Sequence, residues 1–380
     1  MRHKELHIVI VGAGLAGLTA AIHLAKARFK VTLIEKESYP IHKVCGEYIS
    51  NEVLPYLQSL DLDVNGIGAV DISKLKISTQ KGKMIACDLP LGGFGISRYT
   101  LDHYLWKKAQ TSGVTTIQDE VSRITFDSTL FEVDTILGKQ FMADFVIGAY
   151  GKRSGLDYSL KRDFKIKNAP WLGVKAHYKA TIATDTVQLH NFKGGYCGIS
   201  EVEEGLINVC YLAHYDSFKQ YKSIPKFQEA VLFQNPHLKT FFEEAKCGFE
   251  QPLTIAQVNF SSKKSVENHI LMCGDAAGLI HPLCGNGMAM AIAGAQLVAE
   301  MLIAYAKGNI LTRAALEQEY ARQWQQNFGS RLTTGRILQK VLLNSTMQTT
   351  AQKLGQVLPG VVPSIIQKTH GVALQPAQVS

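Results

Sequence analysis

HIVIVGAG (residues 7–14), LAGLTAAIHLAKARF (15–29) and KVTLIEK (30–36) decide the fold. β-Branched residues crowd the two outer pieces, whereas Ala, Leu and Ile recur at helical spacing in the middle. Strand, glycine turn, helix, strand is a βαβ unit of the length a parallel pair needs. Gly12, Gly14 and Gly17 form a G-x-G-x-x-G fingerprint at the strand-to-helix turn. The first glycine permits the tight turn, the second lets backbone approach a pyrophosphate, and the third lets the helix lie close on the sheet. The helix N-terminus then offers N–H donors and partial positive charge to phosphates. Glu35 ends the second strand, where a carboxylate accepts ribose hydroxyls and repels a 2′-phosphate. These features specify a dinucleotide without choosing between NAD and FAD.

The choice comes from residues 272–292, MCGDAAGLIHPLCGNGMAMAI, where a buried strand ends in Gly274-Asp275 and a helix begins after Gly285-Asn286-Gly287. An NAD dehydrogenase needs no second sugar-binding motif so far along the chain, but a flavin does. Asp275 can hold ribityl hydroxyls, and N–H groups near Gly287 and Met288 can face the N1–O2 edge and stabilise an anionic reduced flavin.

Between these motifs the sequence predicts a helix over 51–60, strands at 75–78 and 84–89, and a helix over 99–111. Strands with turns fill 114–151 and close on the apolar DFVIGA. Residues 170–260 carry long alternating segments and one helical stretch, 218–245, which reads as a separate, mostly antiparallel sheet. The fold class is therefore α/β: a Rossmann-like FAD-binding domain with an inserted, mostly antiparallel β-sheet substrate domain and a C-terminal helical segment. The expected divisions are 1–72, 95–160 and 262–320 for the FAD-binding domain, 73–94 and 161–261 for the substrate domain, and 321–380 for the tail.

Four segments give the chain, up to about residue 320, its resemblance to the p-hydroxybenzoate hydroxylase-like FAD-dependent oxidoreductases, most of all the geranylgeranyl reductase family. They are GAGLAG with Glu35, the KVCGE loop at 43–47, SRYTLDHYL at 97–105, and GDAAG with the following Pro282, Gly285, Gly287 and Met288. The resemblance implies that Lys43 and Arg98 lie on the cofactor, Arg98 near its pyrophosphate, and that Asp275 binds the ribityl chain. It also places 282–288 along the flavin ring and Cys45-Gly46 beside the isoalloxazine. Other readings of single residues stand beside these: Cys45 as a small buried hydrophobe, Arg98 as a brace for its helix, His281 as a hydrogen-bonded structural residue rather than a substrate contact.

In the hydroxylases the strand-end segment carries an Asp-Gly pair and a later Arg, whereas here, in VIGAYGKRSGLD, Tyr150 and Asp157 stand at those positions. The paired tryptophans of flavin-dependent halogenases are absent too, since Trp106, Trp171 and Trp324 are far apart. What the resemblance then implies is reduction of carbon–carbon double bonds in an apolar, isoprenoid or polyene-like substrate, fed by reduced nicotinamide or a protein electron donor. Protonation would come from an acid or water near Cys45, Glu47 or His281. The alternatives are a monooxygenase acting on a small aromatic or polyketide-like substrate, and a non-enzymatic lipid or lipidated-protein binder of the GDP-dissociation-inhibitor type.

Composition bounds the setting. The 380 residues are 46% hydrophobic and carry a formal charge of +8, concentrated in a tail with no acidic residue after Glu319. From Arg331 onward it has no aromatic residue except His370, and so lacks the interleaving of a nucleic-acid reader. The seven cysteines contain no C-x-x-C pair, so reduced thiols, no metal and a cytoplasmic location are expected. No signal-length segment precedes the first strand, and the apolar stretch 288–306 reads as a helix buried on a sheet. Phe328, Leu332, Ile337, Leu338, Val341 and Leu342, with Arg331, Arg336 and Lys340 between them, outline a basic amphipathic helix that covers the enzyme's own core or touches a membrane surface.

Overall fold

The computed structural model describes residues 6–152, 154–162, 170–258, 260–343 and 366–379. Strands β1 (His7–Val11) and β2 (Lys30–Glu35) flank helix α1 (Leu15–Lys26), as the opening motif requires. They sit inside a six-stranded sheet ordered Val266–Glu267, β10 (Ile270–Met272), β5 (Phe145–Gly148), β1, β2 and Thr115–Gln118. All of its pairings are parallel except the one between Val266–Glu267 and β10. Ile8, Val9 and Ile10 are wholly buried, because both faces of a parallel sheet are covered and no alternation with polar residues survives. The chain enters this sheet at β1, departs twice before β5 and once after it, and comes back at Val266–Glu267 and β10, where Cys273 N–H donates to the Gly148 carbonyl at 2.9 Å.

Most of the intervening chain builds a nine-stranded sheet that includes β3 (Val70–Ser78), β4 (Met84–Gly95), β6 (Trp171–Lys179), β7 (Thr186–Phe192), β8 (Gly195–Glu201) and β9 (Ile207–His214). Its pairings are antiparallel apart from β7 with β3. Tyr48–Ser50 also joins this sheet, so its membership reaches past the divisions read from sequence. The helical stretch expected over 218–245 is broken instead into Tyr215–Phe218, Ile224–Ala230 and Pro236–Glu244. Pro225 and Pro236 each stand in a first turn, where their missing N–H costs nothing, and Asn235 caps the last piece by accepting from His237 N–H.

Helix α2 (Arg98–Thr111) and helix α3 (Gly287–Ala306) both pack near α1. Helix α3 has the length and composition to cross a membrane, yet most of it is buried against α1 and Trp324. Helix α4 (Arg313–Leu343) begins before the expected tail boundary and turns Trp324 and Phe328 into the core. Ile337 is exposed, Leu332 and Leu338 are partly buried against that core, and Arg331 pairs with buried Glu52. The side chains of Lys340, Val341 and Leu342 lie outside the described residues.

The last part of the tail corrects the expectation of a helix. After one helical turn at 366–369 the chain runs irregularly to 379 and docks on the first domain. Gly371 N–H donates to the Glu52 carboxylate, Leu374 N–H to the Glu52 carbonyl at 2.7 Å, and Ala377 N–H to Ser59 Oγ at 2.7 Å.

Gly17 is the tightest point of the nucleotide motif: a Cβ there would stand 1.9 Å from the Gly12 carbonyl oxygen. Gly17→Ala should therefore lower stability by about 1–3 kcal/mol in a denaturant titration. Gly155→Ala, with nothing within 4 Å, should leave the midpoint unchanged.

Candidate active site

Gly12 sits at φ +98°, and a Cβ on it would lie 2.6 Å from the Ala149 carbonyl oxygen. The first turn is thus pressed against the loop that follows β5, leaving Gly14 and the start of α1 open to a large cavity. Glu35 lines that cavity with its carboxylate already oriented, accepting Ala13 N–H at 2.7 Å and Glu37 N–H at 3.1 Å. Lone pairs remain for ribose hydroxyls.

Arg98 and Lys43 converge on buried Asp102. The guanidinium forks onto it with two 2.7 Å bonds, and Lys43 Nζ lies at 2.9 Å. Burial pushes the Asp102 carboxyl up, but the two cations overcome it and hold the group below the ordinary carboxylate range. Bracing of α2 and a place on the cavity wall are therefore both true of Arg98.

On the far side of the chain, Gly274 adopts φ +61°, and a Cβ there would come 2.9 Å from Ala16 Cβ. This near contact carries Asp275 onto the same cavity wall as Gly12 and Gly14. The Asp275 carboxylate has no hydrogen-bond partner among the described residues. Burial pushes its carboxyl up, against the charges of Lys152, Lys263 and Arg98. Pro282, Gly285, Gly287 and Met288 continue the wall to the start of α3.

The cavity holds about 1130 Å³, somewhat above the ~300–1,000 Å³ usual for small-molecule sites. A glycine cradle, two cations and an acceptor aimed into one continuous space fit an extended dinucleotide flavin. Gly17 is absent from the wall because it serves the helix-to-turn contact instead.

The three expected catalytic residues separate. Cys45 lies on the wall, its loop pinned by Asn208 Nδ2, which donates to the Gly46 carbonyl at 2.9 Å and the Cys45 carbonyl at 3.3 Å. Glu47 is fully buried, with Oε1 accepting from Lys175 Nζ at 2.5 Å and Arg98 N–H at 2.8 Å, and Oε2 meeting His177 Nε2 at 2.7 Å. Burial alone would raise its carboxyl; His177 and Lys175 outweigh that and hold it below the usual range. An anion so paired keeps no proton to give, which corrects its expected part as an acid and makes it the anchor of the Cys45 loop. His281 is also corrected. It is buried beside Phe260, Trp171 and Tyr196, accepts Leu283 N–H through Nδ1 at 3.3 Å, and is not on the cavity wall. Burial drives its imidazole down to about 4, so the ring is neutral, and its buried Nε2 has no hydrogen-bond partner among the described residues.

Lys175 and His177 escaped the sequence reading. Their signal was two polar residues at period two inside the apolar run WLGVKAHYK, which puts both on one face of a strand. The β8 and β9 segments do line the cavity, through Tyr196, Gly198, Ile199, Cys210 and Leu212. Tyr150 and Asp157 also line it, and both bond Arg162 Nη1 at 3.1 Å. The seven cysteines are all free, and no cluster able to hold a metal occurs among the described residues.

The FAD binding domain family matches residues 5–323. An uncharacterised protein of Methanosarcina barkeri is 25% identical over 333 residues, covering 84% of this chain and 80% of its own. A digeranylgeranylglycerophospholipid reductase of Methanosarcina acetivorans is 25% identical over 362 residues, covering 90% and 86%. Among solved structures, the flavin-dependent brominase Bmp2 superposes with a TM-score of 0.76 at 17% identity, covering 95% of this chain and 93% of that one, a likeness of fold alone.

Glu47→Gln should cost about 3–5 kcal/mol, because Lys175 loses its buried partner. The depressed Glu47 carboxyl adds stability that is fully present above the unfolded glutamate value and is lost as pH falls through the lower folded value. Urea midpoints of the native protein should therefore drop across that acidic window, and the variant should lack this component.

Proposed function

The chain belongs to the FAD-binding domain family, and from that membership we propose a reductase that saturates carbon–carbon double bonds in an extended apolar substrate. It is an FAD-dependent oxidoreductase, and the choice of reaction rests on the wall beyond the cofactor end. The nine-stranded sheet contributes Leu75, Ile77, Ile85, Leu89, Val187 and Leu189 there, and among the described residues of that sheet no charged side chain lines the cavity. A small anionic aromatic substrate would call for a fixed cation at that place, whereas a polyene or isoprenoid chain calls for none. The digeranylgeranylglycerophospholipid reductase relative supports the same class.

Gly12, Gly14, Glu35, Lys43 and Arg98 would hold the adenosine and pyrophosphate end, and Asp275 with 282–288 the flavin end. A flavin held there, once reduced by a nicotinamide or a protein electron donor, would supply hydride to one alkene carbon. Cys45 on the cavity wall then holds the proton for the other carbon. Tyr196 shares that wall, and burial keeps its phenol protonated far above the usual range.

The fold of the brominase keeps oxygen chemistry as the competing reading, although none of Trp106, Trp171 and Trp324 lines the cavity. The test is to reduce the holoprotein anaerobically and follow its reoxidation by a polyprenyl lipid and by oxygen. Reoxidation by the lipid with matching loss of double bonds is expected. Faster oxidation by oxygen that yields a hydroxylated or halogenated product would overturn the proposal. Cys45→Ala should keep its FAD and slow saturation by about 10²-fold or more, within the range of general acid catalysis. Gly198→Leu fills the space facing Leu189 and should raise KM for long chains without loss of flavin.

A further inference from the structure

We propose that Lys152 is a cofactor-tuning residue whose ammonium lies against the isoalloxazine end of the bound FAD and stabilises the negative charge gained on reduction. The inference depends on the family's cofactor and is independent of the substrate.

The loop after β5 is fixed from two sides. Ala149 N–H donates to the Val11 carbonyl at 2.8 Å, and Tyr150 Cα closes on Gly12. Lys263 Nζ donates to the carbonyls of both Lys152, at 3.2 Å, and Asp275, at 3.1 Å. One ammonium spanning two carbonyls holds the Lys152 backbone beside that of the ribityl-binding turn.

From there the half-buried Lys152 side chain lines the cavity, and among the described residues its ammonium has no hydrogen bond or ion pair. Other cations of the wall are placed elsewhere: Arg98 and Lys43 share Asp102, and the exposed Lys36 follows Glu35 at the adenosine end. Lys152 shares its cavity with Asp275 and with Cys210 and Cys45. Cys210 belongs to β9 of the other sheet, paired across from Lys175, and Asn208 of the same strand bonds the Cys45 carbonyl. The backbone of Lys152 is thus held beside the carboxylate suited to the ribityl chain, on the wall of a cavity that also carries the thiols suited to the flavin ring. A cation held without a partner in a partly buried site favours a ligand that brings negative charge to it.

The experiment uses the FAD-loaded protein and its Lys152→Met, Lys152→Gln and Lys152→Arg variants. Midpoint potentials are measured by dye equilibration, and sulfite affinity and FAD dissociation constants are measured alongside. Removing the charge should weaken sulfite binding by about tenfold and lower the two-electron potential by about 30 mV, the equivalent of tenfold. Lys152→Arg should stay within about twofold of the native protein. Unchanged potential and sulfite affinity in both neutral variants would overturn the assignment. So would loss of FAD affinity while the remaining holoprotein keeps its native potential, because the ammonium would then belong to the pyrophosphate. A native protein without FAD would instead defeat the family's cofactor itself, an outcome distinct from either.

Discussion

The site depends on the crossing of α1 by the turn at Gly274, where a single added Cβ would meet Ala16 at 2.9 Å. Residues 16 and 274 can approach so closely only because one is Ala and the other Gly. That approach places the carboxylate of Asp275 in line with the phosphate-binding turn at Gly12. The parallel sheet makes it repeatable, since β1, β5 and β10 lie side by side and each ends at the same edge. Ligands of open α/β sheets collect at the carboxyl ends of such strands.

A second constraint joins this edge to the other sheet. Glu47, in left-handed backbone at φ 53°, collects Lys175 and His177 from β6 together with the N–H that opens α2. The wall expected to face substrate and the helix expected to face pyrophosphate are thereby referenced to one buried carboxylate. A buried ion cluster of this kind adds less to net stability than its short distances suggest, because desolvation of each charge opposes the attraction. Its consequence is positional. The Cys45 loop has one place to stand, and Asn208 bonds its carbonyls from β9.

The parts written in local sequence were legible. The βαβ opening, the glycine turn, the buried strand at 145–148 and the helix after Gly287 each carry their signal within a few residues, and the structure has them. The broken helix at 215–244 was misread because apolar spacing outweighed Pro225 and Pro236. Glu47 reads as an acid in sequence because nothing near it announces Lys175 and His177, which lie well over a hundred residues away. His281 looked catalytic beside Pro282, yet its neighbours Trp171, Tyr196 and Phe260 come from three other places in the chain. Burial and long-range pairing, which decide ionisation, are properties of the folded arrangement.

One cavity reaches from the glycine turn at Gly12 to the start of α3, long enough to offer places to both halves of a flavin dinucleotide. The direct measurement is the cofactor content of the purified protein, released by denaturation and identified after reconstitution with FAD, FMN or riboflavin. One FAD per chain, with FMN and riboflavin retained far more weakly, is the expected result. A colourless protein that takes up none of them, or one that holds FMN as firmly as FAD, would contradict the account.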